Sequence, residues 1–319
     1  MIGRRTLIQG GIALAGTSLA WAADKKKKDD DVRPPPPAPL ATKTIPSTGE
    51  RIAAVGVGTN NYSPQTPDER YARRAVLAGL TEAGASVIDT APSYRESEAT
   101  IGGLLAELGN RKQAFIATKV MAPDGDLAKG VAMIEESRRR LKTDVLDLLQ
   151  IHNLAGVDVL FPHLFALKNK GQVRYVGITT SNGSQHEQLV AVMKAQPVDF
   201  IQVDFSLGNR AAADEVLPAA LDKRVAVLVN MPFGGRNGNT NLFSFVRDQQ
   251  LPDWAGEIGA RTWGQLFLKY VISHPAVTAA IPGMTRIEHL DDNLQAARGR
   301  LPDASMRARI EKWWDQNAG

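Results

Sequence analysis

Residues 86–108, Ser-Val-Ile-Asp-Thr-Ala-Pro-Ser-Tyr-Arg-Glu-Ser-Glu-Ala-Thr-Ile-Gly-Gly-Leu-Leu-Ala-Glu-Leu, read as one strand followed by one helix. The run Ser86–Ala91 is apolar enough for a strand buried on both faces, and Glu96–Leu108 has a helical period. The same unit recurs along the chain. Further strand candidates are Ile52–Gly58, Ala114–Lys119, Val145–His152, Val173–Thr179, Phe200–Phe205, Val225–Asn230 and Val277–Pro282. Helical periods fall at Asp68–Ala83, Asp126–Leu141 and Val159–Lys170, with Gly or Pro near several boundaries. Eight strand–helix units in roughly 275 residues predict an α/β fold of the (β/α)8 TIM-barrel type, with a doubly wound open sheet as the alternative. Upstream, Lys43–Arg51 holds Ser47-Thr48-Gly49-Glu50 between two apolar pairs and predicts a short hairpin at the barrel bottom. The long segment Met231–Arg261 separates the seventh strand from its helix. In a barrel it emerges at the C-terminal face, where active sites sit, and is expected to be a substrate loop.

The 319 residues are 43% apolar and 23% charged, an ordinary globular balance. Cysteine is absent, which excludes disulfides, thiolate metal sites and a cysteine nucleophile. The formal charge of +4 and pI near 9.2 invite a nucleic-acid reading, which depends on where the charge lies. In Arg4-Arg5-Thr6-Leu7-Ile8 the two arginines stand just ahead of an apolar run, Leu7–Ala20, too short to span a bilayer comfortably, and Ala20-Trp21-Ala22 supplies an A-x-A cleavage site. Residues 1–22 therefore read as an export signal, which resembles the twin-arginine type, with an uncleaved anchor as the alternative. Residues 23–41 carry a block of four lysines, then three aspartates, then a proline-rich tail, and read as a solvated linker. Residues 42–319 form the expected barrel domain. Setting Arg4 and Arg5 aside lowers the charge by two, and no aromatics interleave Lys25–Lys28, so no nucleic-acid partner is expected. Stable membrane insertion after processing is not expected either. The transient partner is the twin-arginine export machinery, and the location expected is the periplasm.

Catalytic groups on a barrel belong at the C-terminal ends of strands. There the sequence places Asp89, with Tyr94 five residues on, then Lys119 and His152. Each alone also suits a paired structural charge or a hydrogen-bonded structural histidine. Together they suit carbonyl reduction, in which hydride arrival at carbon builds charge on oxygen that an acid must protonate. A phenol is a weak acid near neutrality unless a nearby ammonium stabilises its phenolate. Lys119 would do this for Tyr94, Asp89 would hold Lys119 charged and oriented, and His152 would hydrogen-bond the carbonyl oxygen or relay a proton.

The sequences VIDTAPSYRESEATIGG, FIATKV and DLLQIHN carrying these four residues resemble the aldo-keto reductase superfamily, and the likeness runs from about Val55-Gly56-Val57-Gly58-Thr59 to Asn293. The resemblance implies a (β/α)8 barrel that binds NADP(H) extended, without a Rossmann motif, and reduces an aldehyde or ketone. It implies catalytic roles for Asp89, Tyr94, Lys119 and His152. It also implies a cofactor site drawn from Gly58, Thr59, Thr179, Thr180, Gln202, Asn230, Pro232, Gly283, Arg286, His289, Asp292 and Asn293. Several positions depart from the family pattern. Thr179-Thr180 stand where Ser-Asn is usual, and Asn230-Met231-Pro232-Phe233-Gly234 replaces Tyr-Ser-Pro-Leu-Gly, removing the tyrosine that stacks on the nicotinamide. Arg286 is the candidate cation for a 2′-phosphate at a helix N-terminus. His289 stands where many members have arginine, so NADPH is expected over NADH by a narrower margin.

Other signals are weaker. Gly56-Val57-Gly58-Thr59-Asn60-Asn61 begins like a dinucleotide fingerprint but lacks its third glycine. No histidine precedes His152, the spacing of His163, His186 and His274 suits no metal, and there is no G-x-S-x-G elbow. No metal is expected. Trp313-Trp314 read as packing, whereas Trp254 and Phe243 have the better claim on substrate. A reading of a different class remains: a nicotinamide-binding redox sensor or regulatory subunit on the same fold, with little turnover.

Overall fold

The computed structural model describes residues 38–235 and 241–317. The expected signal at 1–22 and most of the expected linker at 23–41 lie outside the described residues. The first described elements are two short strands, β1 (Thr42–Thr44) and β2 (Arg51–Ala53), paired antiparallel. Eight parallel strands follow: β3 (Val57–Gly58), β4 (Val87–Asp89), β5 (Phe115–Val120), β6 (Leu146–Ile151), β7 (Val173–Thr179), β8 (Phe200–Asp204), β9 (Ala226–Asn230) and β10 (Val277–Ala280). Each pairs with its sequence neighbours. The helices between them are α1 (Pro67–Glu82), α2 (Ser97–Leu108), α3 (Leu127–Leu141), α4 (Val157–Asn169), α5 (His186–Ala195) and α6 (Val216–Lys223). After β9 come a short α7 (Leu242–Phe245) and α8 (Trp263–Ser273), and after β10 come α9 (Ile287–Ala296) and α10 (Ala304–Asn317).

The sheet closes on itself, so the barrel holds and the open doubly wound sheet does not. The N–H of Gly56 donates to Ala280 O at 2.9 Å, that of Ala280 to Ala54 O at 2.9 Å, and that of Gly58 to Pro282 O at 2.9 Å. A Cβ on Gly58 would lie 2.6 Å from Ile281 O, so the seam admits only glycine there. The expected first strand, Ile52–Gly58, is in fact two strands. At Ala54 the chain changes partners: its N–H donates to Ala41 O in the hairpin, while its carbonyl accepts from Ala280 in the barrel. Apolar continuity across the change hid the break. The fourth strand stops one residue before His152, which opens a 3-10 turn.

Alternation along the strands makes two apolar layers. Ile116, Leu149, Val176, Ile201 and Val227 face the helices. Phe115, Ala117, Leu148, Tyr175, Phe200 and Leu228 fill the barrel interior, together with Ile45 and Ile52 of the hairpin. The hairpin closes the N-terminal end, where Thr48 Oγ1 and Tyr175 Oη lie 2.7 Å apart and Tyr175 Oη donates to Glu50 at 2.6 Å. The inward register that begins with Phe115 and Ala117 next reaches Lys119, and the one that begins with Leu148 next reaches Gln150. The interior is thus apolar at its base and polar at its mouth. Among the described residues no helix is long and apolar enough to cross a membrane.

Candidate active site

Asp89 and Lys119 meet because both end the inward register of adjacent strands, β4 and β5. Lys119 Nζ donates to Asp89 Oδ1 and Oδ2, each at 2.9 Å, and to Thr90 O at 2.7 Å, with Asp89 3% and Lys119 2% exposed. Burial pushes the Asp89 carboxyl upward, against Lys119 and the amides of Gln202 and Gln150. The same burial opposes charge on Lys119, but the negative charge of Asp89 and the neighbouring Tyr94 prevail, and its pKa rises. The ammonium is therefore held charged at the floor of the mouth.

Tyr94 arrives on the turn after β4. Its N–H donates to Ala91 O at 3.0 Å, and the turn is braced by Ser63, whose Oγ accepts from the Glu96 N–H at 3.0 Å. Lys119 Nζ lies 5.1 Å from the Tyr94 ring centre. The rings of Tyr94 and His152 stand edge to face, with centres 6.3 Å apart. Burial, with the Lys119 charge adding to it, lowers the His152 pKa to about 4, so its imidazole is neutral near pH 7. Its Nδ1 is buried without a hydrogen-bond partner among the described residues.

Backbone strain gathers at the same mouth. Among the described residues, six other than glycine have positive φ: Arg95, Lys142, Asn153, Leu154, Arg224 and Met231. Lys142 and Arg224 cap the C-termini of α3 and α6. The other four follow the ends of β4, β6 and β9, where left-handed backbone costs about 1–3 kcal/mol per residue and marks positions the surrounding structure enforces.

A cleft of about 1050 Å³ opens above this floor. Asp89, Tyr94, Lys119 and His152 line it, and so do Gly58, Thr59, Thr179, Gln202, Asn230, Pro232 and Gly283. The structure does not bring Thr180, Arg286, His289, Asp292 or Asn293 into that lining. The Thr180 hydroxyl serves the next turn, donating to Gln185 Oε1 at 2.7 Å and accepting from the Asn182 N–H at 3.0 Å. Asp292 accepts from Thr262 at 3.0 Å and from Gln265 Nε2 at 2.8 Å, tying α9 to the start of α8. Asn293 is buried against Met284. Arg286 and His289 are exposed at the start of α9, with Arg286 3.5 Å from Glu288. Of the loop aromatics, Phe233 lines the cleft. Phe243 packs behind it at 5.0 Å, and Trp254 faces Arg309. Trp313 and Trp314 pack on Trp263 and Phe267.

Sequence reading missed Gln150, Arg73 and Arg95. Gln150 was accessible to it, because it lies two residues before His152 on the same inward face. Arg73 lies on α1 and reaches the cleft only through the packing of α1 beside the turn that follows β10. Nothing in the local sequence marks Arg95 as left-handed. Among the described residues no group of three His, Asp or Glu side chains is placed to hold a metal ion.

Comparison with known proteins gives a consistent picture. The model of the aldo/keto reductase family matches residues 54–315. The chain is 28% identical over 262 residues to the methylglyoxal reductase YeaE of Escherichia coli, covering 80% of this chain and 89% of that one. It is 29% identical over 202 residues to the aldo-keto reductase YhdN of Bacillus subtilis, covering 58% of this chain and 60% of that one. Among solved structures, the holo form of the aldo-keto reductase AKR11C1 from Bacillus halodurans superposes with a TM-score of 0.70 at 23% identity, covering 86% of this chain and 96% of that one. An aldo-keto reductase from Klebsiella pneumoniae in complex with NADPH gives 0.69 at 24% identity, over 86% and 95%.

Proposed function

Because this chain belongs to the aldo/keto reductase family, matched over residues 54–315, we propose that it reduces an aldehyde or ketone to the alcohol, with NADPH as hydride donor. The observation that carries the reading is the buried Asp89–Lys119 pair set beside Tyr94 and a neutral His152 on the cleft floor. NADPH is supported by the Klebsiella pneumoniae structure in complex with it and by the fit of the residues present. Gln202 Oε1 and Asn230 Oδ1 are buried without hydrogen-bond partners among the described residues. A Cβ on Gly283 would meet nothing nearer than 3.8 Å, so packing within the protein does not require glycine there, although a ligand approaching its backbone would. Gly58, Thr59, Thr179, Gln202, Asn230, Pro232 and Gly283 would hold the cofactor along the cleft. Arg286 and the α9 N-terminus would serve a phosphate at its outer end.

Bound NADPH supplies the hydride to the carbonyl carbon. Tyr94 transfers its phenolic proton to the carbonyl oxygen as charge grows there, and the Lys119 ammonium stabilises the phenolate left behind. Asp89 keeps Lys119 charged and fixed in place. His152, neutral above about pH 4, donates one ring N–H towards the carbonyl oxygen without competing for its proton. Its role is orientation and polarisation of the substrate rather than proton supply.

The test is NADPH oxidation at 340 nm with a panel of aldehydes. Multiple turnovers are expected, and Lys119→Met should lower kcat by a factor of about 100 or more with the circular dichroism spectrum unchanged. Wild-type turnover in that variant would overturn the role given to Lys119. A chain that retains cofactor but completes at most one turnover would instead be a redox sensor. That second reading draws on the Asn230 amide, which donates to Thr180 O at 3.0 Å. We also propose export through the twin-arginine pathway, on the strength of Arg4-Arg5 and the apolar run after them. Changing both arginines to lysine should keep the protein in the cytoplasm, and unchanged export would remove that assignment.

A further inference from the structure

Five charged side chains line the cleft among the described residues: Glu69, Arg73, Asp89, Arg95 and Lys119. Four of them are paired. Lys119 is bound to Asp89 at 2.9 Å, and Arg73 lies 4.0 Å from Glu69, which also accepts from the Gln65 N–H at 2.7 Å. Among the described residues Arg95 has neither an ion-pair partner nor a side-chain hydrogen bond. It follows Tyr94 directly, is exposed at the rim, and is held at φ 52 in left-handed backbone. The turn carrying it is fixed by Ser63 rather than left free, since Ser63 Oγ accepts from the Glu96 N–H at 3.0 Å. A planar guanidinium kept unpaired at the mouth of a cleft attracts and orients an oxyanion.

The location selects whose oxyanion it is. Of the residues assigned above to the cofactor, Thr179, Gln202 and Asn230 lie on β7, β8 and β9, Gly283 follows β10, and Gly58 and Thr59 stand at the end of β3. Arg95 follows β4, one residue after the proton donor, just past the end of that cofactor arc at β3. We propose that Arg95 binds a carboxylate or phosphate on the substrate itself, so that the protein acts on anionic carbonyl compounds. This rests on the reductase reading above. The anion held at Arg95 positions the carbonyl at the far end of the same small molecule against Tyr94 and His152. Arg95 is then a specificity-determining residue, and it takes no part in proton transfer.

Matched substrate pairs test this with the purified full-length protein and NADPH: 4-oxobutanoate against butanal, and glyceraldehyde 3-phosphate against glyceraldehyde. The wild type should favour at least one anionic member by about tenfold or more in kcat/KM, and the pair that shows it identifies carboxylate or phosphate. In Arg95→Gln that ratio should collapse towards one, mainly through KM, while Arg95→Lys should keep part of it. Added salt should weaken the preference, because the site is open to solvent. Arg95→Gly, at ease at this φ, should lose the preference as Arg95→Gln does, which guards against a disturbed turn in the glutamine variant. No anionic preference in the wild type, or the same ratio in wild type and variants, overturns the proposal while leaving the reductase reading intact. If no aldehyde is turned over, the reductase reading falls, and calorimetry with 4-hydroxybutanoate against butan-1-ol decides on Arg95. Carboxylate binding lost in Arg95→Gln supports the anion site, and equal binding in both proteins removes it.

Discussion

Asp89 and Lys119 show how a charge pair serves both chemistry and fold. The Thr90 carbonyl and both oxygens of the Asp89 carboxylate keep an ammonium stable where Lys119 is only 2% exposed. Removing one partner leaves the other buried and uncompensated, which costs about 3–5 kcal/mol, whereas removing both costs less. Asp89→Asn should therefore lower the free energy of unfolding in guanidinium by about 3–5 kcal/mol. The double variant Asp89→Asn with Lys119→Met should recover part of that loss. A single variant as stable as the wild type would show that the pair is not ionised in the folded protein. The residue types and their strand-end positions were readable from VIDTAPSY, FIATKV and QIH, because strand ends are fixed by local apolar periodicity. Arg95 was not readable in this way, since its left-handed backbone and lack of a partner are consequences of how its turn meets Ser63.

At the scale of the elements, helix boundaries followed local chemistry closely. Asp126, expected as the first residue of its helix, is the N-cap of α3 and accepts from the Ala128 N–H at 2.9 Å. Thr66 caps α1, with Pro67 in its first turn. The segment from β10 into α9 illustrates the limit. The resemblance pointed to Asp292 as a cofactor residue, yet its carboxylate joins α9 to Thr262 and Gln265 at the N-terminus of α8. Asp292→Ala should lower stability by about 1–3 kcal/mol, read as a lower guanidinium midpoint, because it strips a part-buried amide of its acceptor. An unchanged midpoint together with weakened NADPH binding would return Asp292 to the cofactor. Helix period says which face Asp292 occupies, but which neighbour meets that face depends on the packing of α8 against α9.

For the whole molecule, two partly buried imidazoles set a pH dependence. His152 and His274 both have pKa values lowered to about 4, in each case chiefly by burial, with nearby Lys119 for His152 and Arg307 and Lys43 for His274 adding to it. In the unfolded chain each takes up a proton near pH 6.5. Between those values the unfolded chain binds more protons than the folded one, so stability falls as pH drops from about 6.5 to about 4. Each contributes at most about 1.4 kcal/mol per pH unit in that window. His274→Asn, away from the cleft, should flatten the acid side of a melting-temperature profile, and an unchanged slope would count against a neutral His274.

The sequence by itself determined the eight strand–helix units, the residue types at the strand ends and the family likeness. Those depend on local periodicity, and a strand's alternation fixes in advance which side chains share a face. The tertiary structure alone decided that β3 and β10 close through Gly58, that a hairpin fills the base, and that Thr180 and Asp292 turn to structural partners. It alone left Arg95 without a partner among the described residues, beside Tyr94. Those outcomes depend on contacts between segments far apart in the chain, such as Ala54 with Ala280 or Thr262 with Asp292, and no local pattern encodes which distant group will be there to meet them.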